Sequence, residues 1–152
     1  MYTGTLMLHS WVRWAVVIFG VIAVLRAIAG ASGRRPWTAA DDRAGMLFTM
    51  SLDLQVLIGL LLYFVLSPFT TDALKDFGTA MRTPQLRFWA VEHTFGMLVG
   101  LVLAHVGRVR IRKADTSRRH TIAAIFFTIA LIAILASIPW PGTPNGRPWL
   151  RW

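Results

Sequence analysis

The chain has 152 residues, of which 55% are hydrophobic and 15% charged, with a mean hydropathy of +0.55. Soluble chains carry roughly a quarter charged residues, and here the apolar excess collects into runs long enough to cross a bilayer core, which excludes a soluble domain. The formal charge of +9 comes from basic residues lying between those runs, the pattern of a membrane topology signal; nucleic acid as a partner is excluded.

The absence of cysteine removes disulfides, iron–sulfur clusters, covalent haem attachment and thiol nucleophiles. Any metal or cofactor must therefore be held by His, Met or carboxylate side chains.

A first span is predicted from about His9 to Ala31, with Arg13 and Arg26 near its two ends, where long side chains reach the interface. It lacks a basic segment before it and exceeds the length of a signal-peptide core, so it is read as part of the mature protein. A second span runs from about Ala44 to Leu66 and stops at Ser67-Pro68, with Asp42 or a neighbour placed to cap its first turn and Asp53 inside it. The third, about residues 85–107, follows Pro84 and carries Glu92, His93 and His105. The fourth, Thr121 to Trp140, is free of charge and closes at Pro139 and Pro141; residues 141–152 form a Pro/Gly-rich tail.

Backbone groups in lipid must be satisfied within the segment, and the alternation of a membrane barrel is missing, so each span is helical. Short connections make neighbours antiparallel, and the expected fold is all-α: an integral membrane up-down-up-down four-helix bundle.

Orientation follows from the basic residues. Arg34, Arg35 and Arg43, with Arg108, Arg110, Arg112, Lys113, Arg118 and Arg119, lie on one side; Lys75, Arg82, Arg87, Arg147 and Arg151 lie on the other. The excess marks the inner side, with both termini outside, as for a multi-pass protein of a bacterial inner membrane. Trp11, Trp14, Trp89 and Trp140 are then expected as an outer aromatic belt, with Trp37 at the inner face.

Ionisable residues inside spans are costly and are read as functional candidates. His9 and His93 share an outer depth on the first and third helices, which are diagonal neighbours in such a bundle, and facing helices are where bundle cofactors are held. At about 100° per residue, His93, Gly96, Gly100, Ala104 and Gly107 share one face, as do His9, Val16, Gly20, Ala23 and Ala27. Two imidazoles above small-residue grooves suit axial ligation of one non-covalent haem b, with Gly20, Gly96 and Gly100 admitting the ring and Arg13 pairing with a propionate. The same Gly96-x-x-x-Gly100 spacing is also that of close helix packing in proteins binding nothing.

His105 lies on another face from His93 and cannot share its groove, and a second haem with His120 is disfavoured because their helices are adjacent and antiparallel. His120, beside Arg118 and Arg119, is expected at a lipid headgroup, and Glu92 near Arg87 or Arg82. Asp53 lies about 13 Å into the second helix at about 1.5 Å per residue. Arg26 is its expected partner, and a structural ion pair and a proton-accepting site both stay open.

His9-Ser10-Trp11-Val12-Arg13-Trp14, Gln55-Val56-Leu57-Ile58-Gly59-Leu60, Arg87-Phe88-Trp89-Ala90-Val91-Glu92-His93 and Ser137-Ile138-Pro139-Trp140 resemble, in order and spacing, a family of small bacterial four-helix membrane proteins labelled cytochrome b. The resemblance covers the chain through Trp140. It implies a membrane b-type haem protein with His9 and His93 at ligand positions; family members often carry a histidine in the second helix where this chain has Asp53.

The leading expectation is electron transfer through one bis-histidine haem near the outer face, exchanging electrons with a quinone or a redox protein partner. The alternatives are a non-haem structural or assembly subunit of a larger membrane complex and, third, copper handling by His9 with Met7, Met46, Met50 or Met97. No nucleophile–base set, P-loop, dinucleotide fingerprint or HExxH run is present, so an electron carrier is expected rather than a stand-alone enzyme.

Overall fold

In the computed structural model, which describes residues 1–151, every regular element among those residues is helical. In chain order they are α1 (Tyr2–Ser32), α2 (Ala39–Leu61) continued by a π-helical turn (Leu62–Leu66), the short helices α3 (Pro68–Lys75), α4 (Phe77–Arg82) and α5 (Pro84–Arg87), a second π-helical turn (Phe88–Glu92), α6 (His93–Lys113) and α7 (Thr116–Ser137). Four helical stretches, Tyr2–Ser32, Ala39–Leu66, Pro84–Lys113 and Thr116–Ser137, are long and apolar enough to cross a membrane. The protein is a multi-pass membrane four-helix bundle.

The ends of these helices follow from local chemistry. Arg34 takes a left-handed turn at φ 49 after α1 and Pro36 follows, which stops the helix. α2 begins with a capping box in which the Asp41 carboxylate accepts from the Thr38 N–H (2.9 Å) and hydroxyl (2.6 Å). Asp41, the neighbour of Asp42, thus supplies the cap. Pro68 and Pro84 sit in the first turns of α3 and α5, where a missing N–H costs nothing. α7 stops where Ile138 turns extended before Pro139.

The spans are displaced from their sequence-predicted limits. α1 starts before His9, α2 before Ala44, the third stretch reaches Lys113 and the fourth begins at Thr116. Polar helix ends continue beyond the apolar run because hydrogen bonding within the helix does not require lipid. The link between the second and third spans is also not a plain short loop. α3 to α5, with the second π-helical turn, form a small cap with its own core of Ala73, Ala80 and Ala90.

α1 packs against α2 and α7, and α6 against α7 and α2, which places α1 and α6 diagonally as expected. Small residues bring the backbones together. Val16, Ala23, Ala27, Ala104, Ala123 and Ala130 lie in the core around Phe48, Leu52, Phe127 and Ile134. The faces pointing away from the core are also apolar, with Leu25, Leu57, Phe64, Phe95 and Ile132 largely exposed. A helix apolar all round meets protein on one side and lipid on the other.

At the arginine-rich end Arg26 and Arg108 are paired within the bundle. Arg108 is 5% exposed and its Nη1 lies 2.8 Å from Asp42 Oδ1. Arg26 bonds Asp41 at 2.8 Å, not Asp53, because Asp41 opens α2 beside the end of α1 while Asp53 is deep in the span. His120 is not at a lipid headgroup. It is 4% exposed, its ring lies against Trp37 with centroids 4.9 Å apart, and Gly30 of α1 leaves the room it occupies.

Candidate functional site: a histidine chamber at the end that holds the termini

The start of α1, the end of α2, the start of α6 and the end of α7 meet at the end of the bundle that holds both termini. Between them is a cavity of about 130 Å³, with His9, Gln55, Trp89 and His93 in its wall. Both π-helical turns border it through Tyr63 and Trp89, and the Tyr63 hydroxyl donates to the Ala90 carbonyl at 2.8 Å, tying one π turn to the other. A π turn widens the helix by one residue and re-aims side chains, a device common at functional sites.

His93 is held by a helix end. The last carbonyls of α7 lack intrahelical donors; His93 Nδ1–H donates to the Ser137 carbonyl at 2.8 Å and Trp140 Nε1–H to the Leu135 carbonyl at 2.8 Å. With Nδ1 committed as donor, the Nε2 lone pair of His93 is the one free to meet a metal. His9 faces α2, where the Gln55 amide N–H donates to its Nε2 at 3.1 Å and Gly59 leaves room for the ring. The centroids of His9 and His93 are 6.4 Å apart, with planes inclined at 70°. Two metal–nitrogen bonds of about 2 Å each, plus the inner halves of two imidazoles, span a similar distance.

The chamber also collects unmet polar atoms. His9 Nδ1, Arg13 Nε, Gln55 Oε1 and Trp89 Nε1 are buried without a hydrogen-bond partner and all border it; His120 Nδ1 and Asn145 Oδ1 are the other such side-chain atoms among the described residues. Four of the six such atoms belong to residues lining this one cavity, a concentration of the kind a ligand-binding cavity has.

The other sequence-predicted residues fall as follows. Arg13 reaches away from the helix and its Nη2 donates to the carbonyls of Trp149 (2.5 Å) and Pro148 (3.4 Å). Gly96, Gly100 and Gly20 do lie on the inward faces that helical phase assigned them, but those faces are filled. Gly96 seats Ser137, Gly100 seats Ile134 and Gly20 seats Leu131 and Phe48, so these glycines bring helices together instead of leaving an open groove beneath the histidines. Glu92 pairs with Arg87 at 2.8 Å, one of the two partners expected for it.

Asp53 and His105 meet each other. His105 Nε2–H donates to Asp53 Oδ1 at 2.7 Å, with side chains 48% and 44% exposed, so the pair faces outward between α2 and α6, with Asp53 near the middle of its span and His105 three residues before Arg108. Trp14, Trp140 and Trp149 form a cluster, with ring centroids 5.7–6.3 Å apart, in which the indoles meet at inclined angles.

Sequence reasoning missed the part played by Gln55, the π turns and the tail. Gln55 stood in the resembling stretch as a polar residue in a span, a signal in itself; nothing local marks a π turn or the return of the tail. No protein family, curated protein or solved structure matches this chain.

Proposed function

We propose that this protein is a b-type haem protein of a bacterial cytoplasmic membrane, with one haem between His9 and His93 near the outer face, passing electrons between a quinone and a redox partner. One observation carries the proposal: two imidazoles on diagonal helices face one chamber in which four buried polar atoms have no partner. The donor set fits the group. Histidine is an axial ligand of haem iron, and a metal needing only two protein ligands does not require a cluster of three or more; no such cluster exists among the described residues.

When bound, the haem would supply one-electron chemistry, and the protein supplies ligands, orientation and dielectric. Ser137 fixes the tautomer and orientation of His93 through its carbonyl. His9 would exchange the Gln55 amide for the metal, and Gln55 would then be free to turn to another partner in the chamber. Arg13 would sit close to a propionate while fastening the chain at Trp149. The N-out, C-out orientation rests on the excess of Lys and Arg in the two loops at the opposite end.

The test is a reduced-minus-oxidised absorption spectrum of protein purified from its own membranes. A Soret shift with sharp α and β bands is expected, and its absence from protein purified without added chelator would overturn the proposal.

A second reading has an observation of its own: the outward-facing Asp53–His105 pair is costly in hydrocarbon and would be shielded by a neighbouring subunit of a larger membrane complex. A haem-free protein that co-purifies in fixed stoichiometry with other membrane subunits would favour that reading. Copper handling would draw on Met97, which borders the chamber with both histidines.

A further inference from the structure

Three arginines border the chamber, Arg13 from α1 and Arg147 and Arg151 from the tail, and no Asp or Glu does among the described residues. The salt bridges among those residues lie elsewhere, on Arg26, Lys75, Arg87, His105, Arg108 and His120. The tail is brought there by specific contacts. Two turns, Thr143 N–H to the Trp140 carbonyl (3.2 Å) and Gly146 N–H to the Thr143 carbonyl (2.8 Å), reverse the chain, with Gly142 at φ +89. Arg147 N–H then donates to the Pro139 carbonyl at 3.0 Å.

Beyond that point the tail lies along α1. Arg13 and the Trp14 indole donate to the Trp149 carbonyl, and the Trp11 indole donates to the Arg151 carbonyl at 3.2 Å. The Arg147 guanidinium stands over Trp89 at 4.9 Å and over Phe69 at 5.5 Å. Its affinity for its proton is pushed below the ordinary value, by burial first and then by the like charge of Arg151. Guanidiniums gathered in a partly desolvated wall repel one another where no carboxylate among the described residues faces them, and an anion of matching geometry relieves the repulsion.

We propose that the C-terminal tail is the closing wall of the chamber and that Arg147, with Arg13 and Arg151, binds the carboxylates of the ligand held there. The inference rests on the haem reading, and the carboxylates are then the propionates of the porphyrin. Flat aromatic surface at Trp89, with the Arg147 guanidinium above it and two further arginines in the same wall, matches an apolar ring with acidic substituents at one edge.

The experiment titrates haem-free full-length protein in neutral detergent with haemin and with haemin dimethyl ester, which keeps the iron and ring but loses both carboxylates. The wild type is expected to bind haemin at least about tenfold more tightly, the effect of a single charge-assisted contact or more. Arg147→Gln is expected to reduce that preference several-fold, and Arg147→Lys to keep most of it, which separates charge from folding. His93→Ala weakens both titrations, since it removes a ligand and not a carboxylate contact.

Equal affinity of the wild type for both porphyrins would leave the haem reading standing and overturn the inference. An unchanged preference in Arg147→Gln would also overturn it, as would a preference that disappears when phosphatidylglycerol is added, since the arginines would then belong to lipid phosphate. Binding of neither porphyrin removes the haem reading and the inference together.

Discussion

At the scale of single residues, polar groups in the spans are placed according to what can satisfy them. His93 sits where α7 runs out of donors for its last carbonyls, and His9 sits where Gln55 offers an amide. His93→Ala is expected to abolish the Soret band or leave a five-coordinate high-spin haem, whereas His105→Ala leaves the spectrum unchanged. Loss of the spectrum in the His105 or His120 variant, with His9 and His93 variants like wild type, would move the site to the other side of the membrane. The Asp53–His105 bond pairs two polar side chains on the outward faces of α2 and α6. Asp53→Leu or His105→Leu alone leaves a polar group unpaired and is expected to cost on the order of 1–2 kcal/mol, while the double variant should cost less than the sum. Additive costs in a detergent unfolding series would show that the two side chains act independently.

At the scale of elements, glycine sets how closely helices approach. A Cβ at Gly100 would stand 2.6 Å from Ile134 Cγ1, and a Cβ at Gly30 would meet the His120 ring. Gly100→Ala and Gly30→Ala are each expected to destabilise the bundle by about 1–3 kcal/mol, the usual range for overpacking. Gly4→Ala, with open space around it, should be nearly silent. Melting temperatures in one detergent compare the three directly, and a Gly100 variant as stable as the Gly4 variant would mean that α6 and α7 are not in contact as described. The short helix α4 responds instead to pH. Its cap, Asp76, accepts from the Thr79 N–H at 3.0 Å, which holds the carboxyl below its ordinary range. A group with a depressed folded pKa contributes above its unfolded value and loses that contribution as pH falls through the folded one. The protection factor of the Thr79 amide, its exchange relative to the unstructured rate at the same pH, should therefore fall only under acid conditions below the usual carboxylate range; loss of protection near neutrality would assign the cap to another group.

At the scale of the whole molecule, the two ends differ in how they treat charge. The arginine-rich end pairs Arg26 with Asp41 and Arg108 with Asp42 inside the bundle, and leaves a basic surface around it. The end with the termini holds a chamber with three arginines and no carboxylate among the described residues. That asymmetry fits the expected orientation, because a basic inner surface meets anionic lipid. Reporter fusions should show a periplasmic reporter active at the C-terminus and a cytoplasmic one active after Arg112. The reverse pattern would invert the protein and put the chamber on the inner face.

The sequence by itself determined the four helical spans, because an apolar run in lipid has no other way to satisfy its backbone. Helical phase likewise marked the inward faces: Val16, Gly20, Ala23 and Ala27 are buried on α1, and Gly100, Ala104 and Gly107 on α6. Phase gives direction without distance, so it left the contents of those faces open; tertiary packing filled them with Ile134, Leu131, Phe48 and Ser137. Partner choice was likewise a tertiary matter. Arg26 and Asp53 looked matched in charge, yet antiparallel docking put Asp41 beside Arg26 and His105 beside Asp53. The tail was legible only as a Pro/Gly segment. Its return to α1 depends on carbonyls and indoles far apart in the chain, and long-range hydrogen bonds of that kind leave no local period to read.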